Sequence, residues 1–264
     1  MVPAKRKLAD KSEKALRTSL QPYERVVGTL IRKIFFNHVK PGSKLPTERQ
    51  LAQDMSVDRS SLRVALKHLE SMGVLNIRQG DGIYVRDYLK HAGIEFIAAL
   101  FDYLEYGKPE THFDEYIMAE IWEFWVGIMP EMLKLAIQRI SPRDIKAMMD
   151  ILDDELMSIS DKEKIVDCEL MHQDIVAETA NNTMYLLLSN TNRSLRRRMI
   201  EVCVYSVDEE TIRKHIENKK ELLTRFMRMD DRSHIHEAYR EILNDLGRKV
   251  RNGRVSGEQP KKVE

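Results

Sequence analysis

The sequence contains few of the features that exported, membrane-bound or redox-active proteins use. It has only 2 cysteines, Cys168 and Cys203, without the CxxC spacing of a zinc or redox motif, so we expect two reduced thiols and no disulfide. No apolar run approaches the roughly eighteen residues of a membrane span, and no apolar segment follows the basic N-terminus. We therefore expect a soluble, cytoplasmic protein without a membrane partner.

Motifs for catalysis are also absent. The sequence has no Gly-rich phosphate loop, no HExxH and no recognisable Ser, His and Asp set. An enzyme with an appended N-terminal domain is the alternative to a binding protein, and nothing in the sequence supports it. We predict that the protein is not an enzyme and needs no cofactor.

Charge is distributed unevenly along the 264 residues, although the net charge is only +1. Residues 1–88 carry 17 Lys and Arg against 9 Asp and Glu, whereas residues 89–264 carry 26 against 33. A basic first part suits a polyphosphate partner, and an acidic second part suits a different one.

Residues 46–85 combine helix, turn and hairpin signals at short, regular spacing. Thr47 and Asp58 are N-cap residues for two short helices, the first ending near Met55 and the second before Gly73. Donors cluster in the first turn and a half of the second helix, namely Arg59, Ser60, Ser61 and Arg63. A recognition helix presents its donors there.

A hairpin pattern follows these two helices. Apolar and polar residues alternate on both sides of Gln79-Gly80-Asp81-Gly82, and Asp-Gly is a strong turn signal. The whole pattern predicts a winged helix-turn-helix. Periodicity alone does not decide DNA binding, since any small domain with two helices and a hairpin gives the same pattern.

The same residues resemble the N-terminal domain of the GntR family of bacterial transcription regulators. The resemblance rests on Leu45 to Arg49, Val57 to Arg63, Leu69, Gly73 and Gln79 to Gly82. It implies double-stranded DNA as a partner. The implied DNA-binding residues are Arg49, Asp58, Arg59, Ser60, Ser61, Arg63, Gln79 and Gly80, with Asp58 as the cap where family members commonly have Ser or Thr.

The remaining sequence is helical in period and predicts an antiparallel all-α bundle. We expect a disordered basic tail at 1–20, a winged helix-turn-helix domain at 21–88, a helical domain at 89–250 and a disordered tail at 251–264, with 86–91 as the linker. The predicted bundle helices are Glu115 to Ile140, Ser141 to Ile159, Lys162 to Ala180, Thr183 to Val204, Asp208 to Met229 and Asp231 to Val250.

This order of elements resembles the FadR subgroup of the GntR family, whose helical domain binds an effector. Many members hold a metal ion with an Asp four residues before the His that matches His172, and with two later histidines. Here Cys168 stands at the Asp position, with Asp167 one residue away, and the later positions fall near Lys219 and near Glu241 or Ile242. Lys is not a metal ligand at neutral pH, so we predict no metal site.

The resemblance implies a homodimer on a short palindromic operator, controlled by a small-molecule effector. A fatty acyl-CoA or a related metabolite is one candidate effector, and a small carboxylate held with metal assistance is the alternative. The predicted effector-binding residues are Trp125, His172 and Asn181. His172 is either a ligand or a hydrogen-bonded core histidine. A set of aromatic and Met side chains either lines a cavity or forms an ordinary core, and this set comprises Trp122, Phe124, Trp125, Met129, Met132, Met148 and Met149.

Overall fold

The structure is a computed structural model that describes residues 21–104, 111–228 and 234–257. The chain divides into two compact units between Glu110 and Thr111. The expected tail at 1–20, the expected helix break at Met229 to Asp231, and residues 105–110 and 258–264 lie outside the described residues.

Unit 1 has five helices and one hairpin in its described part. They are α1 (Pro22–Phe35), α2 (Glu48–Asp54), α3 (Arg59–Ser71), β1 (Leu75–Arg78), β2 (Gly82–Val85), α4 (Tyr88–His91) and α5 (Ile94–Leu104). Helix α1 is amphipathic and packs against α3 and α5 through a buried stripe from Val26 to Ile34. The helix-turn-helix begins where the sequence predicts, because the Thr47 side chain accepts from Gln50 N and that of Asp58 accepts from Ser61 N.

The hairpin that forms the wing is antiparallel, with Leu75 opposite Val85 and Arg78 opposite Gly82. A third segment that the sequence pattern did not indicate lies along β2. Leu45 N donates to Ile83 O at 2.8 Å, and Val85 N donates to Ser43 O at 2.9 Å. These bonds fix the wing to the chain that leads into α2.

Gly73 occupies a position that tolerates only glycine. Its φ is +76°, which ends α3 in the left-handed region. A Cβ at this position would lie 2.1 Å from the carbonyl oxygen of His91. The close approach fastens the end of α3 to the end of α4.

Helices α4 and α5 belong to unit 1, although the sequence pattern placed the linker at 86–91 and the second domain from 89. The Tyr88 and Phe96 rings stack with their centroids 4.8 Å apart, and the Phe35 ring lies 5.6 Å from Tyr88. Phe96 is buried. Aromatic packing onto α1 therefore extends unit 1 past residue 100, which local periodicity could not reveal.

Unit 2 is a bundle of seven helices in its described part. They are α6 (Thr111–Ala136), α7 (Pro142–Met157), α8 (Lys162–Thr179), α9 (Thr183–Thr191), α10 (Arg193–Ser206), α11 (Glu209–Met227) and α12 (Ile235–Gly257). Helix α8 is central, since it packs against α6, α7, α9 and α10. It buries side chains on several faces, from Ile165 to Ala177.

Two bundle helices differ from the predicted spans. The segment predicted as one helix from Thr183 to Val204 is broken at Asn192, which ends α9 and begins α10. Neither Gly nor Pro marks this break, and Asn192 is buried, so tertiary packing produces it. Helix α12 continues seven residues past Val250, into the segment expected to be a disordered tail.

The predicted fold class is confirmed: the protein is mostly α-helical, with a winged helix-turn-helix followed by an all-α bundle. Among the described helices, none is both long and apolar enough to cross a membrane.

Candidate functional site

The exposed start of α3 is the first candidate site. Asp58 accepts from Ser61 N at 2.9 Å and from Ser61 Oγ at 2.6 Å, and it also accepts from Ser60 Oγ. These hydrogen bonds, with the Ser60 hydroxyl contributing most, hold the pKa of Asp58 well below its usual range. Asp58 therefore orders the first turn of α3 as an ionised cap, and both serine hydroxyls donate inward.

Three arginines lie near this turn, and they differ in whether they form an ion pair. Arg63 Nε donates to Glu48 Oε2 at 2.8 Å, which joins α3 to the first turn of α2. Arg49 and Arg59 are exposed and make no ion pair within the described part of the chain. The Arg59 guanidinium is thus a free donor group at the start of the predicted recognition helix.

The wing adds a second polar surface. Gly80 is exposed at the tip with φ of +78°, and a Cβ there would meet nothing within 4 Å. Asp81 accepts from Lys44 Nζ at 3.1 Å and from the Tyr84 hydroxyl at 3.0 Å. The Arg78 guanidinium lies 4.7 Å from the centre of the Tyr84 ring. Two cations and one carboxylate therefore stand beside the tip, where Gln79 is also exposed.

Unit 2 contains a layer of ionisable groups buried inside the bundle, which we call the polar layer: Glu155, Glu169, His172, His215, Lys219 and Tyr239. Lys219 Nζ donates to Glu169 Oε1 at 2.6 Å and lies 3.5 Å from Glu155 Oε2. His215 Nε2 lies 3.6 Å from Glu169 Oε1. The side chain of Glu155 is fully buried and that of Lys219 is 3% exposed. The layer joins helices α7, α8, α11 and α12.

The charges of the polar layer are set by burial and by Lys219. Burial raises the pKa of Glu155 to about 8, although Lys219 opposes this rise. Burial would also raise the pKa of Glu169, but Lys219 and His215 outweigh it and hold that pKa below its usual range. The same two carboxylates outweigh burial at Lys219 and raise its pKa. At neutral pH the layer therefore holds an ammonium, one carboxylate and a mostly protonated Glu155.

Two apolar cavities meet at the polar layer. The first encloses about 580 Å³, including its opening to solvent, and its lining includes Met129, Leu133, Leu222, Phe226, His172 and Lys219. The second encloses about 510 Å³ on the same basis and is lined in part by Trp122, Trp125, Glu169, Met199 and Leu243. Gln173 and Tyr239 line both cavities.

The residues present do not fit the metal ion that the family resemblance implies for many members. Lys219 brings an ammonium group to Glu169, and Cys168 is buried, with burial raising the pKa of its thiol to about 11. Within the described ranges, no group of three His, Cys, Asp or Glu side chains could hold a metal ion. The ammonium supplies the buried positive charge instead.

The predicted effector residues lie in three separate places. Trp125 lines the second cavity and His172 lines the first. His172 Nε2 is 3.1 Å from Met148 O, and burial lowers its pKa to about 4, so it is a neutral, hydrogen-bonded core histidine. Asn181 is exposed at the turn after α8 and lines neither cavity.

The set of aromatic and Met side chains is divided. Two members line each cavity, Trp122 and Trp125 in one and Met129 and Met148 in the other. Met132 is buried, and Phe124 is 38% exposed. The cavity alternative therefore applies to four members and the core alternative to Met132, whereas Phe124 lies at the surface.

Most of the polar layer was not predicted from the sequence, although a signal for it was present. Lys219 interrupts a buried apolar stripe on α11 formed by Ile212, Ile216, Leu222 and Phe226. A charge on the buried stripe of an amphipathic helix predicts a buried partner. Glu155 similarly follows Met148 and Leu152 on the buried face of α7.

The family described as "Bacterial regulatory proteins, gntR family" matches residues 22–85. Mce2R of Mycobacterium tuberculosis is 28% identical over 174 residues, which are 65% of this chain and 68% of that protein. The fatty acid metabolism regulator protein of Shewanella halifaxensis is 26% identical over 172 residues, 64% of this chain and 67% of that protein.

Among solved structures, the Lar protein of Listeria monocytogenes has the same fold. Its TM-score is 0.53 at 13% identity, and the match covers 87% of this chain and 96% of that one. At 87% coverage, the match includes residues of both units.

Proposed function

Because the chain belongs to the GntR family of bacterial transcription regulators, we propose that it binds a short palindromic operator as a homodimer and that a small molecule in unit 2 controls this binding. The observation that supports it best is the exposed start of α3, where Asp58 orders the turn and the Arg59 guanidinium has no ion pair within the described residues. A guanidinium that lies at an ordered helix start and has no ion pair can donate two hydrogen bonds to a base edge in the major groove.

Backbone contacts would come from the surfaces around α3. Arg49 and the wing cations Lys44 and Arg78 are exposed and suit phosphates, which position the protein without reading sequence. Arg63 Nε lies 2.8 Å from Glu48 Oε2, and this ion pair restrains the arginine. We therefore assign Arg63 to contacts that position the protein on the DNA backbone. Gly80 has no side chain to keep the wing tip away from a sugar-phosphate strand.

Arg59→Ala tests this assignment. The variant should bind operator DNA more weakly by about 1–3 kcal/mol and should discriminate less between operator and random DNA, because a base contact is lost. Arg6→Ala, in the basic tail, is the control and should weaken binding to both DNAs alike. Electrophoretic mobility shift titrations on both DNAs at fixed salt provide the measurement. Equal losses on operator and random DNA for Arg59→Ala would contradict direct readout by this residue.

The homodimer has a candidate contact surface on α9. Met184 is 72% exposed and Leu187 is 55% exposed on this short helix, which packs against α8. Large apolar side chains gathered in this way mark an interaction surface. We assign a second copy of the chain as its occupant, because a two-fold protein matches a palindromic operator.

Met184→Asp combined with Leu187→Asp should convert the dimer to a monomer, since two carboxylates would be buried at the interface. Sedimentation velocity at micromolar concentration measures this change. Met157→Asp is the control, because Met157 is 82% exposed at the end of α7 and should leave the dimer intact. A wild-type monomer, or a double variant that sediments as a dimer, would refute the α9 interface.

Unit 2 supplies the effector site in this proposal. The first cavity is open to solvent, and its lining is largely apolar with a few polar side chains, which is the usual make-up of a small-molecule site. Relatives named as fatty acid metabolism regulators favour a fatty acyl effector. The alternative, a small carboxylate bound with metal assistance, has no suitable ligand set in the described residues.

A further inference from the structure

Where the two cavities meet, the polar side chains have more free hydrogen-bond donors than free acceptors. Glu169 already accepts from Lys219 and lies near His215, so its acceptor capacity is partly used. Gln173 accepts through Oε1 from Arg196 at 3.2 Å, which leaves its amide N–H groups as donors. The Tyr239 hydroxyl has no hydrogen-bond partner in the part of the chain that the structure describes.

Lys219 is the strongest of these donors. Its ammonium has three N–H groups, and two carboxylate oxygens lie within 3.5 Å of it. One donor therefore remains for a third oxygen. Lys219 comes from α11, Gln173 from α8 and Tyr239 from α12, and all three line the same cavity.

The rest of the first cavity is apolar. Its apolar wall includes side chains from α6 and α11, among them Met129, Leu133, Leu223 and Phe226. A ligand that satisfies the donors must therefore carry its acceptor oxygens at one end and an apolar body at the other.

Electrostatics favour an acceptor group that is anionic. At neutral pH Glu155 is mostly protonated, because burial raises its pKa to about 8, so it does not repel a second anion beside Lys219. A charge-assisted hydrogen bond from an ammonium is also stronger than one between neutral groups. No ion other than the ammonium is required to hold the head group.

We propose that the first cavity binds an amphipathic monocarboxylate, with its carboxylate accepting from Lys219, Gln173 and Tyr239 and its apolar chain lying along Met129, Leu133 and Phe226. Lys219 is then the residue that determines head-group specificity. The proposal rests on the proposed function only in taking this ligand as the effector.

Calorimetric titration of the full chain, without DNA and with EDTA present, tests the site. Decanoate is the probe, decan-1-ol has the same chain without the charge, and acetate has the charge without the chain. Decanoate should bind roughly 10- to 100-fold more tightly than decan-1-ol, because a charge-assisted hydrogen bond is lost in the alcohol. Acetate should bind far more weakly than either. Equal affinity for decanoate and decan-1-ol would overturn the proposal, and so would binding that disappears in EDTA.

Two variants locate the head group. Lys219→Met combined with Glu169→Gln removes the ammonium without leaving an unpaired carboxylate at Glu169, and it should abolish the preference for decanoate over decan-1-ol. Tyr239→Phe is a smaller change that preserves the ring packing, and it should reduce that preference several-fold if the double variant does not fold. Lys220→Met is the matched control, because Lys220 pairs with Asp153 and does not line the cavity. A preference that survives in both test variants would refute the role of Lys219 and Tyr239.

Failure of this site and failure of the proposed function give different results. Tight binding of decanoyl-CoA without binding of decanoate would overturn the monocarboxylate ligand and leave effector control standing. Binding of decanoate that leaves operator affinity unchanged would support the site and overturn its role as the effector site.

Discussion

Replacing Lys219 by Met should lower the free energy of unfolding of unit 2 by about 3–5 kcal/mol, because it leaves a buried carboxylate without its cation. Glu169 lies 2.6 Å from the ammonium, with only 12% of its side chain exposed, and Glu155 is fully buried. Without the ammonium, the ionised Glu169 carboxylate would face a low-dielectric interior without a compensating charge. Urea unfolding measures the loss.

Intrinsic fluorescence makes this measurement specific to unit 2. The chain has 2 tryptophans, Trp122 and Trp125, and both lie in α6. Lys220→Met is the control on the next residue. Its side chain is 35% exposed and pairs with a partly exposed Asp153, so the loss should stay below about 1 kcal/mol.

A double-mutant cycle with Glu169→Gln separates the ion pair from the rest of the packing. The combined variant should lose less stability than the sum of the two single variants, by roughly 0.5–3 kcal/mol, since neither partner is left buried alone. Additive losses would show that Lys219 and Glu169 do not depend on each other.

The second large effect concerns communication between DNA and effector. Coupling energies of about 1–3 kcal/mol predict that effector changes operator affinity by roughly 5- to 150-fold, and that operator changes effector affinity by the same factor. In this proposal, a ligand enclosed in unit 2 acts by shifting the population of arrangements that fit the operator. A flexible connection should weaken this effect.

The structure indicates where a flexible segment should be inserted to loosen the connection between the two units. The sequence pattern placed the linker at 86–91, which would make Asp87 a natural insertion point, but Tyr88 stacks on Phe96, and Arg86 N donates to Val74 O at 2.8 Å. An insertion there should destabilise unit 1. A Gly-Ser insertion between Tyr106 and Gly107 falls between the described residues of α5 and α6 and should leave each unit able to bind its own ligand.

Operator titrations with and without decanoate measure the coupling. The variant with the insertion after Tyr106 should bind both partners with near wild-type affinity while their mutual effect falls toward onefold. An undiminished factor would show that the connection does not carry the signal. The variant with the insertion after Asp87 should instead unfold unit 1 at lower urea concentration, which circular dichroism detects.

The sequence determined those features whose causes lie within a few residues of one another. Asp58 and Thr47 cap the helices of the winged domain, Gly73 ends α3 in a left-handed conformation, and the Asp81-Gly82 pair follows the tip of the wing. The helical period of residues 89–250 predicted an all-α bundle. The family resemblance was carried by the same short-range motifs. These features follow from local backbone sterics and capping, so a single sequence is enough to read them.

Only the tertiary structure decided which distant groups meet. Lys219 is 64 residues from Glu155 and 50 from Glu169, and no local pattern specifies that these three share one layer. The extension of unit 1 through α5 depends on aromatic packing between Phe35, Tyr88 and Phe96. The cavities, the charge state of Glu155 and the candidate effector site arise from burial, which depends on how whole helices pack and not on the residues beside each group.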